Sequence, residues 1–99
     1  MTKKAYWASV YRAVYKPENL AEYAKLAGPA ISAAGGKFLA RGLPSVIKEA
    51  GLMERFVLIE FPSVEAANAA YTSEGYKAAL AALGTDAVER DIRIIEAAE

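Results

Sequence analysis

The chain contains neither cysteine nor histidine. Without cysteine there can be no disulfide, thiolate nucleophile or Cys-based metal site. Without histidine there is no His-ligated haem, no His metal triad and no Ser-His-acid nucleophile. An excess of charge of one sign is also missing. Twelve basic residues cancel 12 acidic ones, so no long-range field draws in nucleic acid or an anionic membrane. No apolar run approaches the ~18 residues of a membrane span. The opening MTKKAYWASVYR meets Arg12 before a signal-peptide core could form. There is no G-x-G-x-x-G and no phosphate loop, and Gly35–Gly36 follows a helical pattern where a dinucleotide turn would precede one. The expectation is a soluble, unprocessed, cytoplasmic chain with no cofactor, no metal, no nucleic-acid partner and no membrane contact.

What is present fits one domain over residues 1–99. A domain of this size buries only about 60–65% of the surface its unfolded chain exposes, so its core is thin unless a partner adds apolar contact. The apolar share of 55% is above average, and the excess is largely alanine, which suits close helix packing.

AYWASVYRAVY, residues 5–15, is rich in aromatic and β-branched residues and predicts a strand. Both of its alternating sets are largely apolar, the pattern of a strand covered on both sides. Helical spacing follows at Leu20, Tyr23, Ala24, Ala27, Ile31 and Ala34, with Pro17 suited to a first helical position and Gly35–Gly36 as the stop. Gly28–Pro29 predicts a kink or two abutting helices. Lys37–Leu43 and Val46–Glu49 are strand-like, and the breaks at Gly42 and Pro44 suit an edge strand with a bulge or bend. RFVLIEF, residues 55–61, is the strongest strand and again apolar on both faces. Ser63 and Ser73 are capping residues for a helix and a further turn ending at Gly84, and DIRIIEA, residues 91–97, is the last strand.

The order β-α-β-β-α-β is the split βαβ pattern, an α+β fold whose four-stranded antiparallel sheet carries its helices on one face. Helices on one face leave the other bare, yet the first and third strands are apolar on both. A second copy of the sheet is the expected cover, giving a homodimer joined through the sheet faces around a shared interior.

The segments AYW, PENLAEY, GGKFLARG, FVLIEFPSVEAANAAYTSEGY and IRIIEA together resemble the family designated domain of unknown function 1330 (DUF1330), across essentially the whole chain. That resemblance implies a ferredoxin-like subunit in a dimeric α+β barrel, similar to antibiotic-biosynthesis monooxygenases, and implies no established reaction. The chain departs from the family pattern at Lys16, Leu43, Ala70, Leu83 and Gly84.

The side chains left for chemistry are Arg, Tyr, Trp and Glu. Arg41, set in an apolar run, offers a planar fork for a carboxylate or other anion. The structural alternative is an ion pair with Glu60 or a cation snorkelled on an edge strand. Arg12 and Glu60 also lie in strand runs, and Glu60 could face either arginine. Trp7, Tyr11 and Tyr15 fall on one side of the first strand and Tyr6 on the other, as an aromatic wall for a flat substrate or as core and interface. The candidate substrate-binding set is Arg41, Tyr6, Trp7, Tyr11, Arg12 and Glu60. The functional expectation is binding of a small aromatic or carboxylate-bearing molecule, with cofactor-free monooxygenase-like or isomerase-like activity. The alternative is a non-catalytic dimeric module built from the same residues.

Overall fold

A computed structural model describes residues 3–98. Along the chain run β1 (Ala5–Val14), α1 (Pro17–Ala33), β2 (Lys37–Gly42), β3 (Phe56–Phe61), α2 (Val64–Tyr71), α3 (Glu74–Leu83) and β4 (Val88–Glu96). The strands form one antiparallel sheet in the order β2-β3-β1-β4, the ferredoxin-like arrangement. Among the described residues no helix is long and apolar enough to cross a membrane.

Local chemistry explains most element ends. The Ser63 hydroxyl accepts from the Ala66 amide at 3.0 Å and opens α2. Ser73 accepts from Tyr76 N at 3.3 Å while donating to Ala70 O at 2.7 Å, closing α2 and opening α3. At the end of α1, Gly36 N donates to Ile31 O at 2.9 Å and Gly35 N to Ser32 O at 3.1 Å, with Gly35 at φ 97°. This pair of bonds is a Schellman stop.

Three expectations need correction. Of the two alternatives at Gly28–Pro29, the division into two helices falls, since α1 runs continuously through Pro29. Pro29 is exposed, so solvent can serve the carbonyl it frees, while Tyr23, Ala27 and Ile31 hold the helix to the core. Val46–Glu49 is not a strand. Glu49 has φ 52°, outside the β region, and Gly51 N closes a turn onto Lys48 O at 2.9 Å. β4 begins at Val88, three residues before Asp91, so Arg90 lies within the sheet.

The helices cover one sheet face only. Ala5, Trp7, Ser9 and Tyr11 of β1 and Val57, Ile59 and Phe61 of β3 are buried beneath them. The alternate residues Tyr6, Ala8, Val10, Phe56 and Leu58 are half-buried on the open face, and Ile95 is 64% exposed. A thin dimension of 16 Å leaves room for one helical layer on one sheet and no third layer. Trp7 occupies the middle, with ring centroids 6.0 Å from Phe61, 5.2 Å from Tyr76 and 5.7 Å from Tyr71. Small residues bring α1 and α3 together: a Cβ at Gly75 would stand 3.0 Å from that of Ala30, and Asn19 Nδ2 donates to Leu83 O at 3.0 Å.

Two glycine substitutions test this packing in opposite directions. A methyl at Gly36 would stand 2.5 Å from Ile31 Cγ2 and 2.8 Å from Phe61 Cζ, so Gly36→Ala is expected to cost about 1–3 kcal/mol in urea unfolding. Nothing lies within 4 Å of a Cβ at Gly28, and Gly28→Ala in mid-helix is expected to add about 0.5–1 kcal/mol.

Candidate functional site

The sheet divides the six candidate residues between its faces. Trp7, Tyr11 and Arg41 stand on the helix side, with Arg41 at the sheet edge also bordering the open-face groove, while Tyr6, Arg12 and Glu60 stand on the open side. On the open side Glu60 lies opposite Tyr6 and Lys37 and pairs with Lys4 at 3.4 Å. Arg12 pairs with Asp91 at 3.1 Å, which also holds Arg93 at 3.0 Å. Glu60 therefore meets neither Arg41 nor Arg12. Arg41 lies over the Phe38 ring, 4.3 Å from its centroid. Tyr15 projects beyond β1, 61% exposed, and donates to Glu89 at 3.1 Å.

Arg55, Arg90, Tyr23 and Ser9 join the helix-side group without having been singled out in the sequence. Their signal was phase. Arg55 falls two residues before Val57 in the buried set of β3, and Arg90 falls between Val88 and Ile92, which pack on the core. A cation in step with buried apolar positions points at the helices.

Arg90 organises a cluster of phenols. Its Nη1 donates to Tyr11 Oη at 2.9 Å and its Nη2 to Tyr76 Oη at 3.4 Å, with the guanidinium 4.8 Å from the Tyr23 ring centroid. The Tyr23 and Tyr76 hydroxyls share a further hydrogen bond. None of Arg41, Arg55 and Arg90 has a carboxylate ion-pair partner among the described residues. For half-buried Arg90 the phenol oxygens and ring faces take the place of a counter-ion.

Beside this cluster, between α1 and the sheet, lies a cleft with a cavity of about 30 Å³, lined by Trp7, Ser9, Tyr11, Tyr23, Phe38, Arg41 and Arg55 among others. Arg55 Nε is buried there without a hydrogen-bond partner. The second space is a groove of about 620 Å³ on the open face, where Val10 and Phe56 meet the irregular segment carrying Leu43, Val46, Ile47 and Leu52. That groove is mainly apolar, whereas the cleft holds hydrogen-bond donors. Among the described residues no group of acidic side chains is placed to hold a metal ion.

Burial, reinforced by Tyr23, raises the Tyr76 phenol above its ordinary pKa of 10. An acid that holds its proton more tightly folded than unfolded contributes its full stability below the unfolded pKa and loses it as pH rises toward the folded one. Stability should therefore fall above about pH 10 as unfolded tyrosine ionises. Tyr76→Phe is expected to cost about 1–3 kcal/mol at neutral pH, through lost hydrogen bonds around Arg90. The same variant should lessen the alkaline decline, as read by urea unfolding across pH 7–11.

None of the curated proteins matches the chain. Among solved structures, it is similar to a protein of unknown function from Rhodopseudomonas palustris at 18% identity, covering 100% of this chain and 85% of that one, TM-score 0.71. SnoaB, a cofactor-independent oxygenase from Streptomyces nogalater, is 13% identical, with coverage of 99% and 96% and TM-score 0.66. A dimeric ferredoxin-like protein of unknown function from Thermobifida fusca is 14% identical, with coverage of 98% and 93% and TM-score 0.58. At these identities the likeness establishes the fold alone. The pattern of the domain of unknown function DUF1330 matches residues 4–98, and the chain belongs to that family.

Proposed function

We propose that the protein is a homodimeric α+β barrel whose subunits each bind a small organic molecule bearing a carboxylate or an aromatic ring in the helix-side cleft. The observation that carries this reading is the pairing of two guanidiniums, Arg41 and Arg55, that have no carboxylate partner among the described residues, with walls of indole and phenol in one cleft. Arg41 anchors the anion at the mouth, where its stacking on Phe38 holds the fork in place. Trp7 and Tyr11 form the inner wall. Tyr6, Arg12 and Glu60 serve the sheet face turned toward the second subunit. The half-buried Val10, Phe56 and Leu58 give that face an apolar centre, and the dimeric Thermobifida fusca neighbour supports the association.

One feature favours catalysis over simple binding. Tyr11 is a hydroxyl at the cleft wall whose oxygen is fixed by a cation, Arg90 Nη1 at 2.9 Å. A group so held is suited to handing a proton to or from a bound ligand, as proton transfer or cofactor-free oxygen chemistry would require. SnoaB is a cofactor-independent oxygenase on this fold. In the non-catalytic alternative the same residues are core, in keeping with Trp7 at 1% exposure.

Two measurements test the proposal. In a thermal-shift screen of aromatic and carboxylic compounds, binders should raise the melting temperature. Arg41→Ala should weaken the carboxylates about 10-fold or more, the loss of one charge-assisted contact; an unchanged response removes Arg41 as the anchor. Sedimentation at micromolar concentration should show dimers, and Leu58→Lys, which sets a charge in the centre of the open face, should shift the population to monomers. Monomeric wild-type protein would refute the barrel.

A further inference from the structure

We infer that Ser9, Tyr11 and Arg55 form a donor-rich pocket at the inner end of the cleft, built to receive the head group of a small organic carboxylate. This rests on the helix-side binding reading above and gives its ligand a chemical class. Ser9, 4% exposed, uses its oxygen to accept from Trp7 Nε1 at 3.2 Å, so the hydroxyl hydrogen remains to be donated. Tyr11 uses its oxygen to accept from Arg90, which can only donate, so its hydrogen also has no protein acceptor among the described residues. Arg55 Nε–H is buried with none either. All three residues line the same cavity, and no carboxylate side chain among the described residues lines it.

A cavity walled by unspent donors favours the guest with the most acceptor sites. An ammonium group offers these hydrogens no acceptor and an amide or an alcohol a single oxygen, while a carboxylate brings two oxygens with about four acceptor sites and a charge that Arg55 complements. The number of acceptors favours a carboxylate, with two oxygens, over a phenolate, with one. Ser9 and Tyr11 lie two residues apart on one strand, about 7 Å along it, and Arg55 adjoins Tyr11 through the Tyr11 N to Arg55 O bond of 3.1 Å. Volume sets the orientation: about 30 Å³ admits a head group and no ring. This moves the carboxylate inward from the Arg41 position given above, and the body of the ligand lies in the mouth, between Phe38 and the small residues Ala24 and Gly28 of α1, with Arg41 adding its charge from the rim.

The single tryptophan supplies the readout, because its indole N–H is bonded to Ser9 inside the pocket. The full-length protein, labelled with ¹⁵N, is titrated with acetate, benzoate and phenylacetate, and with benzamide and phenol as neutral counterparts. The carboxylates should move the indole cross-peak saturably, and benzamide and phenol should bind at least about 10-fold more weakly. Ser9→Ala and Tyr11→Phe should each weaken the carboxylates about 5–10-fold, the scale of one hydrogen bond, and narrow their lead over benzamide. Arg55→Gln should weaken them more. Should Tyr11→Phe fail to fold, Ser9→Ala carries the test. Carboxylate binding that depends on Arg41 but ignores changes at Ser9, Tyr11 and Arg55 overturns the pocket and leaves the mouth site standing. Neutral aromatics binding as tightly as carboxylates do the same. If no compound moves the peak, both readings fall.

Discussion

The constraint from which the molecule follows is that a β-sheet presents alternate side chains to opposite faces, while this chain folds its helices over only one of them. Trp7, Ile59 and Phe61 vanish under α1, α2 and α3, and their sequence neighbours Tyr6, Leu58 and Glu60 are left on the other side. Each polar residue of β1 and β3 thereby acquires a role from its phase. In the helix-facing set it must be satisfied inside a packed layer or at the cleft. In the open set it can reach solvent or a second subunit.

Arg90 shows what that demand entails. A half-buried guanidinium cannot shed its proton, and burial without compensation is costly. The compensation here is unusual in containing no carboxylate. Two phenol oxygens accept from it, and the ring faces of Tyr23 and Tyr11 lie 4.8 and 5.5 Å from its centre. Neutral partners leave the positive charge uncancelled, so the field of Arg90 extends past Tyr11 toward the cleft that Arg41 and Arg55 also border. An acidic partner in place of a phenol would have stabilised the arginine and quenched that field.

Much of the fold was legible in the sequence because its signals are local. The capping serines, Ser63 and Ser73, and the Gly35–Gly36 stop act on their own neighbours. The order of elements and the edge position of the second strand followed from composition and from Pro44. Tertiary packing held α1 together through Pro29 against a local breaking signal. The candidate site was less legible for a different reason. Strands apolar on both faces carry no label saying which face meets the helices, so Tyr6 and Trp7 looked equally suited to a wall. Two register shifts, between Tyr11 and Ala13 and between Phe38 and Ala40, also break simple parity. Arg90 lies outside the strand that the sequence predicts from Asp91, and Arg55 stands at the edge of its run.

The irregularity at Leu39 reaches furthest. Strict alternation would pair Phe38 with Ala40 and turn Arg41 toward the bare side of the sheet, but the extra residue resets the count so that Phe38 and Arg41 share the helix side, opposite Ile59 and Val57. Orientation of this cation is thus written in the number of residues in an edge strand and not in their identity. Among homologous chains, loss or gain of a single backbone unit there would swing the guanidinium from one compartment to the other while every neighbouring letter stayed the same, a route to new selectivity that comparison by residue type alone would overlook.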